Sequence, residues 1–389
     1  MTRKSWQVLV VAVLFAAISH GCEPAPSTGP KTTGEGSSKN AAGSSSAAAG
    51  AAYQVAAVRK PPAGAEPRYV LITNGDSPFW TAARIGMEIG GKDLGVKVDL
   101  MTNDGTIDGQ MQKLRQIATQ GDIVGVGISV LEARAEGVAE EMVNLQQKGV
   151  HVVTVDSDLD RTQFDGARFA FIGTDNLQGG RELGVAAKGL RPDGGKYVTF
   201  VGITSAQNAE ERVGGFGQGA GEKFTKADNM GDEIDPDRAR TNVRNAIRNH
   251  PDAKTLVGIW SYNAPAIVDV VKEKNRRKDF TIVAFDAEPD AVAHMADGQI
   301  DAMVVQNPYE MGYQCVRLLK ALVNDDQPIV KEMLPKLGEP GGNIFDTGLK
   351  VVVPDEGSPL TSEMFGEKTQ FMKLGAFRDW LKKYGLTGS

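Results

Sequence analysis

From Arg68 onward, short runs of branched apolar residues alternate with segments whose apolar positions recur every three or four residues. Tyr69–Thr73 is the first run. Phe79–Leu94 is the first helical segment, with Trp80, Ala83, Met87 and Leu94 on one stripe. Val96–Met101, Ile123–Val130, Val150–Val155 and Phe169–Ile172 read as further strands. Between them, Ile107, Met111, Leu114 and Ala118 stripe one helix, and Ala135, Val138, Met142 and Leu145 another. Continuous β-branched runs joined by amphipathic helices predict parallel strands covered on both faces.

Near Gly173-Thr174-Asp175-Asn176 the pattern starts again. Tyr197–Val201, Leu256–Trp260, Phe280–Phe285 and Ala302–Val305 read as strands, with helical stripes between them. Phe224 to Asp235 is polar and contains Gly231, so a strand there is weakly written. Leu349–Val353 is a late strand. Phe371, Leu374, Phe377, Trp380 and Leu381 then predict an amphipathic helix within Phe365–Tyr384, packed on the second half. Two moderate βα halves fit better than one large sheet, and open sheets meeting at their strand ends enclose a loop-lined cleft.

The most informative stretch is Arg68–Trp80, RYVLITNGDSPFW: an apolar strand, a polar turn, then two aromatics opening a helix. An open α/β sheet places its ligand at such a turn. Asn74, Asp76 and Ser77 offer hydrogen bonds and Phe79 and Trp80 offer flat faces, the combination that a polyhydroxylated ring requires. Phe79 and Trp80 also fit a plain core stripe, and both readings stand at this point.

Composition narrows the field. The chain has 389 residues, enough for two domains, and a formal net charge of −6. No basic face is advertised, so no nucleic-acid partner is expected. The two cysteines, Cys22 and Cys315, lie in unlike contexts; Cys315 shares a stripe with Val316, Leu319 and Leu322 and reads as a buried apolar residue. The four histidines lack metal-ligand spacing, and Asp76, Asp104 and Asp108 lack EF-hand order. No HExxH, GxSxG or P-loop pattern and no nucleophile–base pair is evident, so neither an enzyme, a cofactor nor a metal is expected.

Arg3 and Lys4 precede an apolar run, Val8–Ile18, that is short for a bilayer span and fits a secretory signal. It ends in Ser19-His20-Gly21-Cys22, which resembles the bacterial lipoprotein box, although Ser19 stands where an apolar residue is usual. Residues 1–22 are therefore expected to be a lipoprotein signal with Cys22 lipidated. Residues 23–67, rich in Ser, Gly, Ala and Pro, are expected to be a disordered tether reaching about 35–40 Å.

The segments from Arg68 to Val353 resemble the type I periplasmic binding proteins, the ribose/galactose/xylose-binding cluster that serves ABC importers. Ser77–Trp80 is similar to the family's Asn-Pro-Phe-Phe, and Val155-Asp156-Ser157 to its Leu-Asp-Arg. Ile172–Asn176 with Gly179-Gly180 looks like its first crossover, and Glu211–Phe216 like Glu-Arg-x-x-Gly-Phe. Trp260–Asn263 stands where the family has Asn-Asp. Ala284-Phe285-Asp286 resembles Gly-Phe-Asp, and Val305–Pro308 resembles Gln-x-Pro. Their common order and spacing carry the resemblance.

That resemblance implies an α/β fold of two doubly wound, Rossmann-like parallel-sheet lobes, residues 68–175 with 307–346 and residues 176–306 with 347–389. Three hinge crossings are expected near Thr174–Asn176, Gln306–Asn307 and Asp346–Lys350. The ligand would lie between the lobes. Phe79 and Trp80 would sandwich one ring face, helped by an aromatic of the far lobe. Ser77, Ser129, Asp156, Arg212, Tyr262, Asn263, Asp286 and Gln306 would contact hydroxyls or ring oxygen. Helix capping is the alternative role for Asp156 and Asp286, an ion pair for Arg212, backbone shaping for Gln306 and a loop for Ser129; Trp260, ending a strand, is expected in the core rather than as a stacking platform. Ser157 in place of the family's Arg, followed by Asp158 and Asp160, argues for a neutral monosaccharide rather than an acid. The function implied is a monomeric, lipid-anchored extracytoplasmic receptor delivering sugar to an ABC permease. The alternative is a receptor presenting a sugar or small signal to a sensor kinase or chemoreceptor. A transcriptional regulator shares the core fold, but the export signal and absent DNA-binding helices oppose it.

Overall fold

The structure is a computed structural model that describes residues 52–389. The lipidation site expected at Cys22 and the signal segment lie outside the described residues.

The chain builds β1 (Arg68–Ile72), α1 (Phe79–Leu94), β2 (Lys97–Met101), α2 (Ile107–Thr119), β3 (Ile123–Ile128), α3 (Glu136–Gln147), β4 (His151–Val155), the short α4 (Arg161–Phe164) and β5 (Phe171–Gly173). It then crosses to a second sheet. There it forms α5 (Asn176–Leu190), β6 (Gly195–Val201), α6 (Gln207–Ala220), β7 (Phe224–Gly231), α7 (Pro236–Asn249), β8 (Ala253–Gly258), α8 (Asn263–Glu273), β9 (Thr281–Phe285), α9 (Pro289–Ala296) and β10 (Ala302–Val305). A second crossing leads back to α10 (Pro308–Val323), α11 (Gln327–Met333) and β11 (Ile344–Asp346). A third leads to β12 (Leu349–Val353), β13 (Thr369–Lys373) and α12 (Leu374–Lys383).

The strand orders are β11-β5-β4-β3-β1-β2 and β13-β12-β10-β9-β8-β6-β7. The strands run parallel except where β10 meets β12. Alternation along each strand divides the core into two layers per sheet. Tyr69 and Leu71 of β1 face α1 and α10, whereas Val70 and Ile72 face α2 and α3. In the second sheet, Val198 and Phe200 face α7 and α8, and Tyr197 and Val201 face α5 and α6. The order reverses between β1 and β3 and between β6 and β8, and the loops at those switch points form the two walls of the cleft.

Two local expectations change, and the weakly written strand is present. Residues 53–62, read as part of a structureless tether, are pinned to the first lobe. The Tyr53 hydroxyl is 3.1 Å from His151 Nδ1, and the Arg59 guanidinium donates to carbonyls at the end of α2, including Gln120 at 2.7 Å. A cation suits the unpaired carbonyls there. The weakly written segment forms an eight-residue edge strand, β7, whose polar side chains have solvent on one side. The tail opens with a strand: Phe371 packs with the α5/α6 layer and Met372 with the opposite layer, so only the residues from Leu374 form the helix. Cys315 is fully buried, and burial pushes its thiol up to about 12.

Candidate functional site

The polar turn after β1 is drawn tight by Thr73, whose hydroxyl donates to Gly75 O at 2.7 Å while accepting from Asn103 N. This aims Asn74, Asp76 and Ser77 at the facing lobe and brings Phe79 and Trp80 to the cleft in the first turn of α1. Their rings meet edge to face, 5.1 Å apart and at 88°. The two rings thus stand nearly perpendicular to each other. Across the cleft stand Trp260 and Tyr262, after β8. Trp260 is buried with the α5/α6 layer, as its position at a strand end predicts, and it also borders the cleft, with Nε1 donating to Asn208 Oδ1 at 3.1 Å.

Arg212 is the centre of the site. Helices α5 and α6 press together because glycines face backbone: a methyl group on Gly180 would overlap the Arg212 main chain, and one on Gly215 would overlap Leu177 O. That approach lets Asn176 Oδ1 accept from Arg212 Nε at 2.8 Å. Nη1 donates to Ile259 O at 3.1 Å, and the guanidinium lies 4.0 Å over the Phe285 ring. Nη2 is buried and has no hydrogen-bond partner among the described residues. The two carboxylates flanking the group stand just beyond direct bonding distance, Asp156 at 3.8 Å and Asp286 at 3.9 Å.

Both carboxylates project from left-handed backbone, φ 64° at Asp156 and 63° at Asp286. That conformation costs a non-glycine residue roughly 1–2 kcal/mol, so the surroundings must hold it. Neither residue caps a helix: the caps of α4 and α9 are Asp160 and Glu288. Ser129 Oγ donates to Asp156 Oδ2 at 2.9 Å, and Gln306 Nε2 donates to Asp286 Oδ1 at 3.0 Å. Burial raises both acids against the pull of Arg212, Asp286 to about 7, and burial also lowers Arg212. Arg212 remains the cation, because two carboxylates oppose its deprotonation.

Of the ten expected contacts, the structure brings Ser77, Phe79, Trp80, Asp156, Arg212, Tyr262 and Asp286 to one cleft. Ser129 and Gln306 stand behind the two carboxylates. Asn263 is also one layer back: its Oδ1 accepts from Trp260 N at 3.0 Å and its Nδ2 donates to Asp232 at 2.9 Å. The Asn263 amide is used up on those neighbours, whereas Gln306 Oε1 has no partner among the described residues. Asn208 and Ile234 also line the cleft, and Asp232 stands behind Tyr262. Asp232 accepts from the Tyr262 hydroxyl at 2.6 Å, and burial raises its carboxyl to about 6. It follows the weakly written edge strand, where no apolar pattern marks a strand end. Asn208 was within reach, being one helical turn before Arg212.

The cleft contains ≈ 390 Å³ of atom-free space, counting the part open to solvent. Its rim is closed by contacts between lobes: Ala133 N donates to Ser205 O at 3.1 Å, Arg134 lies 3.2 Å from Glu210, and Ile234 packs on Gly75 and Gly105.

Two doubly wound lobes, three crossings and a polar cleft at both switch points define an interlobe solute-binding fold of the type I class. The chain belongs to the periplasmic binding protein family, whose domain model matches residues 68–327. The ribose import binding protein RbsB of Bacillus subtilis is 24% identical over 243 residues, 61% of this chain and 75% of that protein. The D-allose-binding periplasmic protein of Escherichia coli is 25% identical over 269 residues, 66% of this chain and 84% of that protein. A solved ABC transporter solute-binding protein from Burkholderia graminis, in complex with D-arabinose, superposes with a TM-score of 0.66 at 24% identity, covering 76% of this chain and 97% of that one.

Proposed function

We propose that this protein captures one neutral monosaccharide between its lobes and delivers it to an ABC importer, without covalent chemistry. The observation that carries this reading is Arg212, fixed on three sides, with Nη2 unpartnered among the described residues, Asp156 3.8 Å from Nη2 and Asp286 3.9 Å from Nη1. Hydroxyls are donors and acceptors at once, so a ring placed there can donate to Asp156 and Asp286 and accept from Arg212. Phe79, Trp80, Trp260 and Tyr262 supply apolar faces for its C–H groups. Two acids against one cation, with Asp232 and Glu288 close behind, disfavour an anionic ligand. The curated relatives, named for ribose and allose, support the same ligand class.

The lobes are divided as residues 68–175 with 307–346 and 176–306 with 347–389, and the chain acts as a monomer outside the cytoplasmic membrane. A lipid on Cys22 and the segment from Glu23 hold it at that surface. Metabolic labelling with a fatty acid should mark the protein and fail with Cys22→Ser; a soluble, unlabelled wild type would contradict the anchor.

The ligand reading is tested by thermal denaturation of the full chain against pentoses, hexoses and polyols. A native-state ligand at 100 times its Kd adds about 2.7 kcal/mol to stability, a shift of several degrees. A rise with amino acids or anions and none with neutral sugars would overturn it.

A further inference from the structure

In the first lobe, the peptide after Asp156 is held from within: Val130 N donates to Ser157 O at 3.1 Å. The corresponding amide after β8 is that of Trp260, and it is turned aside to Asn263 Oδ1. The peptide after Asp286 is therefore left without the partner its counterpart has. Ser389 takes that place. Ala287 N donates to Ser389 O at 2.7 Å, and Ser389 N donates to Ala287 O at 2.8 Å. Ser389 Oγ also donates to Gln306 O at 3.1 Å, so one buried residue grips both the peptide after Asp286 and the residue that orients its carboxylate.

The segment leading there is anchored independently. Leu386 is buried in the same core as Phe377 and Leu381 of α12. Gly388 lies so close to Pro289 that a methyl group would overlap its ring. The Tyr384 ring packs 4.5 Å from Tyr309, which opens α10 just beyond the second crossing and belongs to the other lobe. The Tyr384–Ser389 segment lies outside residues 68–327, the part matched to the family.

We propose that the Tyr384–Ser389 segment is a brace that holds the Asp286–Gln306 pair in ligand-binding geometry and thereby sets the affinity of the cleft. Ser389 is a positioning residue and does not line the cleft. The proposal rests on the sugar-binding reading for its effect on affinity, but its structural half can be read without a ligand.

The test compares the full chain with a variant ending at Leu386, which keeps the buried leucine. Amide exchange is followed in the unliganded proteins, and binding is titrated with D-ribose, D-allose and D-arabinose. Exchange should speed up over residues 284–288 and 304–307 and stay unchanged over 154–158. The Kd should rise about tenfold, the weight of one lost bond to a charged group. Ser389→Thr, which keeps the hydroxyl and both backbone bonds, should bind normally, whereas Ser389→Pro, lacking the amide, should resemble the truncation. Unchanged exchange at 284–288 and 304–307 overturns the brace; faster exchange with unchanged Kd overturns its role in affinity. If the full chain binds none of the three sugars, the sugar reading is what fails, and the exchange result still decides whether the brace exists.

Discussion

Asp156 and Asp286 hold equivalent positions after β4 and β9, yet they are supported differently. Each donates its amide to the next strand, at Ile172 O and Val304 O. Asp156 is then oriented by Ser129, a residue of its own sheet, whereas Asp286 is oriented by Gln306 at a crossing between lobes. The near-lobe acceptor is thus held by a residue that follows β3 of its own sheet. The far-lobe acceptor is held by a residue that follows β10 at the second crossing.

The largest effect should come from removing what the two acids share. Arg212→Met should abolish measurable sugar binding, at least about 100-fold, and lower the melting temperature, since removing one partner of buried charges costs about 3–5 kcal/mol. Calorimetric titration and scanning calorimetry read both; retained affinity would contradict a ligand contact at Nη2. Asp156→Asn and Asp286→Asn should each weaken binding by about 10–100-fold, the range of one hydrogen bond to a charged group. If one of them left affinity intact, only its partner would be a ligand contact.

The pH dependence of stability separates them further. In the folded protein Asp286 sits at about 7, above its ordinary 3.8, because burial disfavours its charge. Between those values the folded chain keeps a proton that the unfolded chain has released. The stabilisation is full below about pH 4 and is lost as pH rises through about 7. Melting temperature of the unliganded protein should fall across that window, and Asp286→Asn should flatten the fall while Ser129→Ala leaves it. The smallest effect is Ser129→Ala, about 2–10-fold in Kd from one neutral donor. It should leave the rate of lobe closure alone, whereas Gln306→Ala should alter it in stopped-flow fluorescence from Trp80 and Trp260; equal closure rates would erase the distinction.

The alternation of strands and stripes was readable because β1, β3, β4, β8 and β9 are buried on both faces and written in continuous apolar runs. Arg212, Asp156 and Asp286 were readable for another reason: each lies in a short segment whose order along the chain matches a known family. Asp232 escaped because β7 is an edge strand whose polar side chains look like a loop. Strand β13 was taken into a helix because Phe371, Leu374 and Phe377 happen to keep helical spacing across a strand–helix junction. Ser389 carried no signal, since a single residue acting through its backbone leaves no pattern. Ser129, Asn263 and Gln306 were found in the right place but one layer too deep, a distinction that depends on side-chain reach and not on position along the chain.

The account turns on a neutral ring bridging Asp156, Arg212 and Asp286. Its most direct test is calorimetric titration of the full chain and of Arg212→Met with D-ribose, D-allose, D-arabinose and the corresponding sugar acids. The account predicts one-to-one binding of at least one neutral sugar, no heat from the acids, and no binding by the variant. Heat from the acids alone, from none of the compounds, or undiminished in Arg212→Met would contradict it.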